Sequence, residues 1–402
     1  MSDPRTPQQL QTFSTTCHGC GSCLNSCQLL GDLGMPPAQI AADILSGQKL
    51  NEGLAQAVVR CALCGLCSHD CPMDLNPADL MRTAREILLD QGITELDDYQ
   101  MMLVDNSWHF FNLYRNTWNI NYYDLAVESC EALFFPGCTL ASYAPELTRA
   151  AYAWLKSRGL KVGITPECCG LPLTSLGLQE RGIQMLERLR GKMEQVGARQ
   201  LITACPNCFY HFEKHLQDIE VVPLYQLLAD AGIRLSGATR VTVHDSCPDR
   251  FSGRIGTQVR RLLEGFALTE MRHHGANTIC CGSGGIVSMV DPDLSSQRAQ
   301  TRMAEVSSVE ADYCVTACMG CTKRLAATGT PPDRPTQRQT GRNGSRRCNK
   351  VRHLLELIFD LPVDHEQIQF NINQMWQGEK GDHNWRLLAS AQQPVTNGRT
   401  NA

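Results

Sequence analysis

The sequence predicts an α+β protein: a helical N-terminal domain followed by two copies of an α/β unit, each with a parallel sheet. Three observations predict it. Two cysteine runs of identical spacing near the N-terminus are joined by segments with helical periodicity. A five-cysteine pattern occurs twice, with equivalent cysteines offset by 109 to 113 residues, as expected for two copies of one structural unit. Within each copy short apolar strands alternate with helices, the pattern of a parallel sheet.

The first element, residues 1–95, holds "CHGCGSCLNSC" (Cys17, Cys20, Cys23, Cys27) and "CALCGLCSHDCP" (Cys61, Cys64, Cys67, Cys71). Both read C-x2-C-x2-C-x3-C, the spacing of two-cluster bacterial ferredoxins, in which the fourth cysteine of one run ligates the other cluster. Three close thiolates wrap three corners of a cubane and the fourth ligand arrives from elsewhere. The expected sets are Cys17, Cys20, Cys23 and Cys71 for one [4Fe-4S] cubane, and Cys61, Cys64, Cys67 and Cys27 for the other. The competing reading is a pair of zinc sites, but these usually show two C-x2-4-C pairs per metal. The first run ends in "CQ" where "CP" is more usual; that proline is a turn preference, not a ligand. "PPAQIAADILSGQ" and "NEGLAQAVVRC" between the runs carry apolar residues at spacings of three and four. "NPADLMRTAREILLDQG" follows, with Asn76 as N-cap and Gly92 as C-terminal stop. The domain therefore reads as an α-helical ferredoxin unit, not the compact β-rich one.

Residues 96–130 form an aromatic connector, densest in "WHFFNLYRNTWNINYY" from Trp108 to Tyr123. It is expected to pack between domains, a partner-docking surface being the sharper alternative.

The first α/β copy (131–236) carries Cys138, Cys168, Cys169, Cys205 and Cys208, and the second (237–365) carries Cys247, Cys280, Cys281, Cys318 and Cys321. Strands are expected at "ALFFPGC", "LKVGITPECCG" and "RQLITACPNC", then at "RVTVHDSC" and "ADYCVTACMGC". All ten cysteines then fall at the C-terminal ends of strands, where such folds place their sites. Each doublet sits in "CCG". Neighbouring Cα atoms are about 3.8 Å apart, too close for a relaxed disulfide. Adjacent thiolates can instead reach different atoms of a polynuclear cluster, with glycine giving the backbone room. "GSGG" at 282–285 lacks the full dinucleotide fingerprint and reads as backbone room beside a cluster. The second copy is interrupted by a basic inserted loop at 328–350, closed by the helix-like "VRHLLELIFD", and followed by a polar C-terminal tail, 366–402, expected to be poorly ordered at its end.

Composition narrows the function. A formal net charge of −4 and a pI near 6.3 argue against a nucleic-acid binder. No apolar run approaches the roughly 20 residues of a membrane span. "MSDPRTPQQLQTFSTT" has no apolar core of a secretory signal, so the expectation is a cytoplasmic chain, with any membrane association supplied by a partner. In that setting 21 cysteines are metal ligands before they are disulfides.

The double motif resembles the cysteine-rich "CCG" domain family, which includes the catalytic subunit of heterodisulfide reductase, the iron–sulfur subunits of glycolate oxidase and anaerobic glycerol-3-phosphate dehydrogenase, and lactate-utilisation proteins. The resemblance covers about residues 15 to 325, and the domain order is similar to that of the fused, D-type heterodisulfide reductase chain. It implies one or two noncubane [4Fe-4S] clusters, on Cys138, Cys168, Cys169, Cys205 and Cys208 and on Cys247, Cys280, Cys281, Cys318 and Cys321, with zinc in one repeat as the alternative. These ten cysteines would be catalytic: electrons from a donor pass through the cubanes, and a disulfide is cleaved between the two centres. The alternative is an electron-transfer subunit of a flavin-dependent glycolate, lactate or glycerol-3-phosphate dehydrogenase. Expected partners are redox subunits (a flavoprotein, hydrogenase, cytochrome or ferredoxin donor) and a small disulfide or hydroxyacid-derived electrons. Both motifs are complete here, which favours the disulfide side. "DPDLSSQRAQ" resembles the glycolate oxidase wording, and "HDSCPDR" carries Ser246 where proline is more usual.

Lesser candidates remain. Cys130, Cys314 and Cys348 lie outside every motif and read as plain thiols, Cys314 being the nearest exception. His244 and His211 could protonate a departing thiolate, though a satisfied structural role is the first expectation. Lys323 and Arg324 read equally as charge partners of a cluster or substrate and as a solvated helix turn.

Overall fold

A computed structural model describes residues 6–47, 50–328 and 351–390. The N-terminal part is helical, with helices at Thr6–Thr16, Ser22–Ser26, Gln28–Leu33, Pro37–Leu45, Glu52–Val59, Leu66–His69 and Pro77–Asp90. Asn51 and Asn76 cap the two helices that follow them, accepting from the Leu54 and Asp79 amides. Leu30, Ile40, Leu54, Val58, Met81 and Leu88 fill the core between them. Within the cysteine runs Gly21 (φ 79°) and Gly65 (φ 75°) occupy equivalent places just before a short helix. The left-handed conformation, open to glycine without strain, lets the chain turn into the short helix that carries the third cysteine of each run, Cys23 and Cys67, both buried.

Each α/β copy contains a four-stranded parallel sheet. In the first, β1 (Ala132–Phe135), β2 (Val162–Ile164), β3 (Gln200–Thr203) and β4 (Glu220–Pro223) are ordered β2-β1-β3-β4, with Phe134 opposite Ile202. In the second, β5 (Ser236–Val243), β6 (Gly265–Leu268), β7 (Tyr313–Thr316) and β8 (Val351–His353) are ordered β6-β5-β7-β8, with Val243 opposite Val315. β1 is buried along its whole length, as a central strand covered by helices on both faces requires. Phe134 and Ile202 of the first sheet and Val241, Val243 and Val315 of the second belong to one continuous core.

The connector packs rather than projects. Phe111, Leu113 and Tyr114 of the helix Phe110–Thr117 are buried, and the Tyr114 ring meets Tyr143 edge-on at 5.2 Å. Tyr123 is the exception, 85% exposed.

Two expectations change at the C-terminal end. "VRHLLELIFD" is not helical throughout: Val351–His353 is the edge strand β8, and the helix Leu354–Phe359 follows it. The polar tail folds as far as it is described, into helices His365–Gln374 and Gly378–Ser390. Ile368, Met375 and Leu388 enter the main core, and Asn384 donates to Thr117 of the connector helix at 2.9 Å. Few but well-spaced apolar residues suffice once a neighbouring helix offers a groove. The basic loop from residue 329, Cys348 and residues 391–402 lie outside the described residues.

Candidate functional site

The thiols gather into four sets. Cys17, Cys20, Cys23 and Cys71 line one cavity, with Phe13, Pro36 and Pro77 around them. Burial, with the Cys17, Cys71 and Cys20 thiols close by, pushes Cys23 up to about 11. Burial pushes Cys67 up too, and the charges it feels are those of Cys61, Cys64 and Cys27. Each set thus takes three cysteines from one run and the fourth from the other, the crossed arrangement of two-cluster ferredoxins.

In the first α/β copy the contacts form an unbroken chain: Cys138 to Cys168, Cys168 to Cys169, Cys169 to Cys208, and Cys208 to Cys205. In the second, Cys280 meets Cys281, Cys281 meets Cys321 at 3.2 Å between sulfurs, and Cys321 meets Cys318. Burial pushes Cys247 up, and the charges it feels are those of Cys280, Cys64 and Cys281. The second thiol of each doublet is pushed down: Cys169 by hydrogen bonds from Cys168 and Cys208, Cys281 by those from Cys280 and Cys321. Local devices position these thiols. Thr203 and Thr316, the last residues of β3 and β7, accept from the amides of Cys205 and Cys318, both at 3.3 Å. A Cβ on Gly137 would stand 2.7 Å from the Cys205 Cβ, so only glycine lets the loop before Cys138 approach.

The four sets are not isolated. Cys64 of the second run hydrogen-bonds Cys280 of the second α/β copy. Arg250 is buried there and donates through Nε to the Cys64 carbonyl at 3.4 Å. Between the two α/β copies, Asn207 Nδ2 points at Cys318 Sγ across 3.8 Å. The Tyr225 hydroxyl reaches the carbonyls of both Ala204 and Ala317, at 2.7 Å each, one residue before Cys205 and Cys318.

Arg85 holds the helical domain to both copies. It is 2% exposed, and its guanidinium donates to the carbonyls of Val58, Val59 and Cys61 in its own domain, of Ser175 in the first copy and of Gly285 in the second. Hydrogen bonds from a charged donor contribute about 1.5–3 kcal/mol each. Arg60 adds an ion pair to Asp291. "GSGG" accordingly serves a different surface from the one expected. A Cβ on Gly285 (φ +59°) would stand 2.6 Å from the Cys61 carbonyl oxygen, so the glycine seats the second copy on the backbone of the second run.

All eighteen motif donors are thiols, the soft ligands that suit iron–sulfur clusters. The surroundings fit an anionic group. Burial and neighbouring thiols hold Cys27, Cys61 and Cys280 above the usual thiol range, the charge of Arg298 opposes this at all three, and its Nη1 is buried without a partner among the described residues. An orphaned buried N–H on a cation whose charge these thiols feel is what an anionic cluster would satisfy.

The lesser candidates separate. Cys130 and Cys314 are buried core thiols outside the four sets. His211 is buried and bonded to the Cys169 backbone carbonyl. Lys323 stands 5.6 Å over the Tyr143 ring, and Arg324, half-buried, donates to the Pro292 carbonyl at 3.4 Å and feels the charge of Cys281. His244 accepts at Nδ1 from Arg302 Nε at 2.9 Å, and burial, then the Arg302 charge, pushes its imidazole down to about 3. Arg85, Arg250, Arg298, Asn207 and Tyr225 were not singled out from the sequence. Only the repeated "T-A-C" before Cys205 and Cys318 hinted at the carbonyls that Tyr225 binds.

Comparison with known proteins agrees with this layout. A family model described as a 4Fe-4S dicluster domain matches residues 16–76, and one described as a cysteine-rich domain matches twice, at 132–213 and 241–326. The chain is 23% identical to a fumarate reductase (CoM/CoB) subunit of Methanothermobacter marburgensis, over 76% of this chain and 66% of that protein. It is 23% identical to the glycolate oxidase iron-sulfur subunit of Escherichia coli, over 78% of this chain and 90% of that one. Against a dihydromethanophenazine:CoB–CoM heterodisulfide reductase subunit of Methanosarcina mazei the identity is 25%, over 66% and 71%. A crystal structure of a hypothetical protein from Helicobacter pylori shares the fold at TM-score 0.51 and 11% identity, covering 92% of this chain and 75% of that one. Among the described residues no helix is long and apolar enough to cross a membrane.

Proposed function

We propose that this chain, which belongs to the iron–sulfur proteins built from a 4Fe-4S dicluster domain and two cysteine-rich domains, is an oxidoreductase subunit whose paired cysteine-rich sites reduce a disulfide. Cys17, Cys20, Cys23 and Cys71 would hold one cubane, Cys61, Cys64, Cys67 and Cys27 the other, and the two five-cysteine sets a noncubane [4Fe-4S] cluster each. These clusters supply one-electron chemistry. The balance is R–S–S–R′ plus two electrons and two protons to two thiols, so two adjoining one-electron sites match the stoichiometry.

The observation that carries this reading is the Cys64–Cys280 contact together with the reach of Asn207 to Cys318. The first joins the helical domain to the second cysteine-rich site, and the second joins that site to the first. The burial of Cys168, Cys169, Cys281, Cys318 and Cys321 keeps bulk water from both. The test is anaerobic turnover. Reconstituted protein with a chemical reductant should convert the CoM–CoB heterodisulfide or a small mixed disulfide to two thiols, and a Cys281→Ala variant should not. Full iron and sulfide loading without turnover of any such disulfide would overturn it.

A second reading has its own support: the glycolate oxidase relative from Escherichia coli aligns over 90% of its length. On that reading the chain accepts electrons from a flavoprotein that oxidises a hydroxyacid. Reduction of the loaded chain by glycolate or lactate plus a co-purifying flavoprotein would select it.

A further inference from the structure

The two cysteine-rich sites are built alike but are not lined alike. Three residues before the first cysteine of each set, the first copy has Phe135 and the second His244. Phe135 is fully buried in an apolar cluster with Cys169, Cys208, Leu186 and Leu189. His244, also buried, has a ring nitrogen within 4.8 Å of Cys281 and Cys321, the equivalents of Cys169 and Cys208.

That grouping has the look of a metal site with histidine as a ligand, but the other side of the ring excludes it. Arg302, itself fully buried, donates through Nε to His244 Nδ1. A guanidinium has donors only, so Nδ1 must offer its lone pair and the ring proton resides on Nε2. Arg302 is fixed in turn by the His273 carbonyl at 2.6 Å and Glu305 at 2.7 Å. Nε2 is buried with no partner among the described residues. An imidazole protonated at Nε2 cannot ligate a metal there; it can donate.

We infer that His244 donates an Nε2–H hydrogen bond to sulfur at the second cysteine-rich site, and so raises the reduction potential of that site. His244 is a positioning residue, fixed in its tautomer by Arg302. Hydrogen bonds to cluster sulfur stabilise the more negative, reduced state, and Phe135 offers none. The inference rests on the reading that both sites hold iron–sulfur clusters, which iron and sulfide analysis checks separately.

The experiment is a redox titration followed by low-temperature EPR on the reconstituted full chain, with the second centre assigned by its loss in Cys281→Ala. His244→Phe, which copies the first site, should lower the ratio of reduced to oxidised second centre about tenfold at fixed potential, about 59 mV for a one-electron couple. Its iron content and the first centre should not change. His244→Asn, which keeps an N–H, should restore most of the shift. In wild-type protein labelled with ¹⁵N-histidine, hyperfine spectroscopy should find one exchangeable proton and a weak nitrogen coupling at that centre. An unmoved midpoint in His244→Phe, iron lost from that site alone, or a nitrogen coupling as strong as direct ligation would each overturn the inference.

Discussion

The thiols of Cys64 and Cys280 hydrogen-bond to each other across the junction between the dicluster domain and the second cysteine-rich domain. They come from motifs whose internal spacing says nothing of one another. The contact makes the second cysteine-rich site, not the first, the neighbour of the dicluster domain. In a Cys280→Ala variant, electrons delivered to the dicluster domain should reach the cysteine-rich sites at least about tenfold more slowly, the equivalent of about 1.4 kcal/mol in barrier. Freeze-quench EPR measures this directly; an unchanged rate would remove the junction from the path.

Arg85 joins three parts of the chain through backbone carbonyls. Arg85→Met should cost about 3 kcal/mol or more, because buried carbonyls lose a charged donor. The expected signs are a lower Tm and early proteolytic release of the dicluster domain. Arg85→Lys keeps the charge but not the planar fork, so its cost should fall between wild type and methionine.

Gly285 offers a milder way to open the same seam. Alanine there would meet the Cys61 carbonyl in a backbone conformation that already disfavours side chains. Gly285→Ala should keep full iron content yet slow transfer into the cysteine-rich sites. Iron analysis alongside freeze-quench EPR distinguishes this from simple misfolding.

Tyr225 spans the two cysteine-rich domains with a single hydroxyl. Tyr225→Phe removes the one hydroxyl proton that the two buried carbonyls share and should destabilise the chain by about 2 kcal/mol. Chemical denaturation of the apoprotein, compared with wild type, reads this as a shift in midpoint.

Acid sensitivity follows from His109. Burial, with Arg115 nearby, pushes its imidazole down to about 3 from an ordinary 6.5. Between those values the unfolded chain binds a proton that the folded chain refuses. Stability present above pH 6.5 is therefore lost as the pH falls toward the folded value. The loss by about pH 5 is about 2 kcal/mol. His109→Leu should flatten that limb of the Tm–pH curve; parallel curves would show that His109 contributes nothing to it.

How far the sequence reached depends on the kind of information. The eight-cysteine and ten-cysteine patterns are local and periodic, and Asn76, the strands before Cys138 and Cys247, and the parallel sheets follow from them. The helices 365–374 and 378–390 were obscured because their apolar face is narrow and becomes legible only against Thr117 and its neighbours. The role of Gly285 was half legible: the need for backbone room showed, but the surface it meets lies more than 200 residues earlier. Arg85 left no signal and Tyr225 only the repeated "T-A-C" of its partners, since both bind main-chain carbonyls, which every residue carries.

The reach of Arg85 also orders events in time. Ser175 and Gly285 lie 90 and 200 positions further along the chain. On the ribosome the dicluster domain emerges with that guanidinium bare and with no Cys280 yet made to cover Cys64. Until the last domain folds, the thiols of the second run stay uncovered on that side.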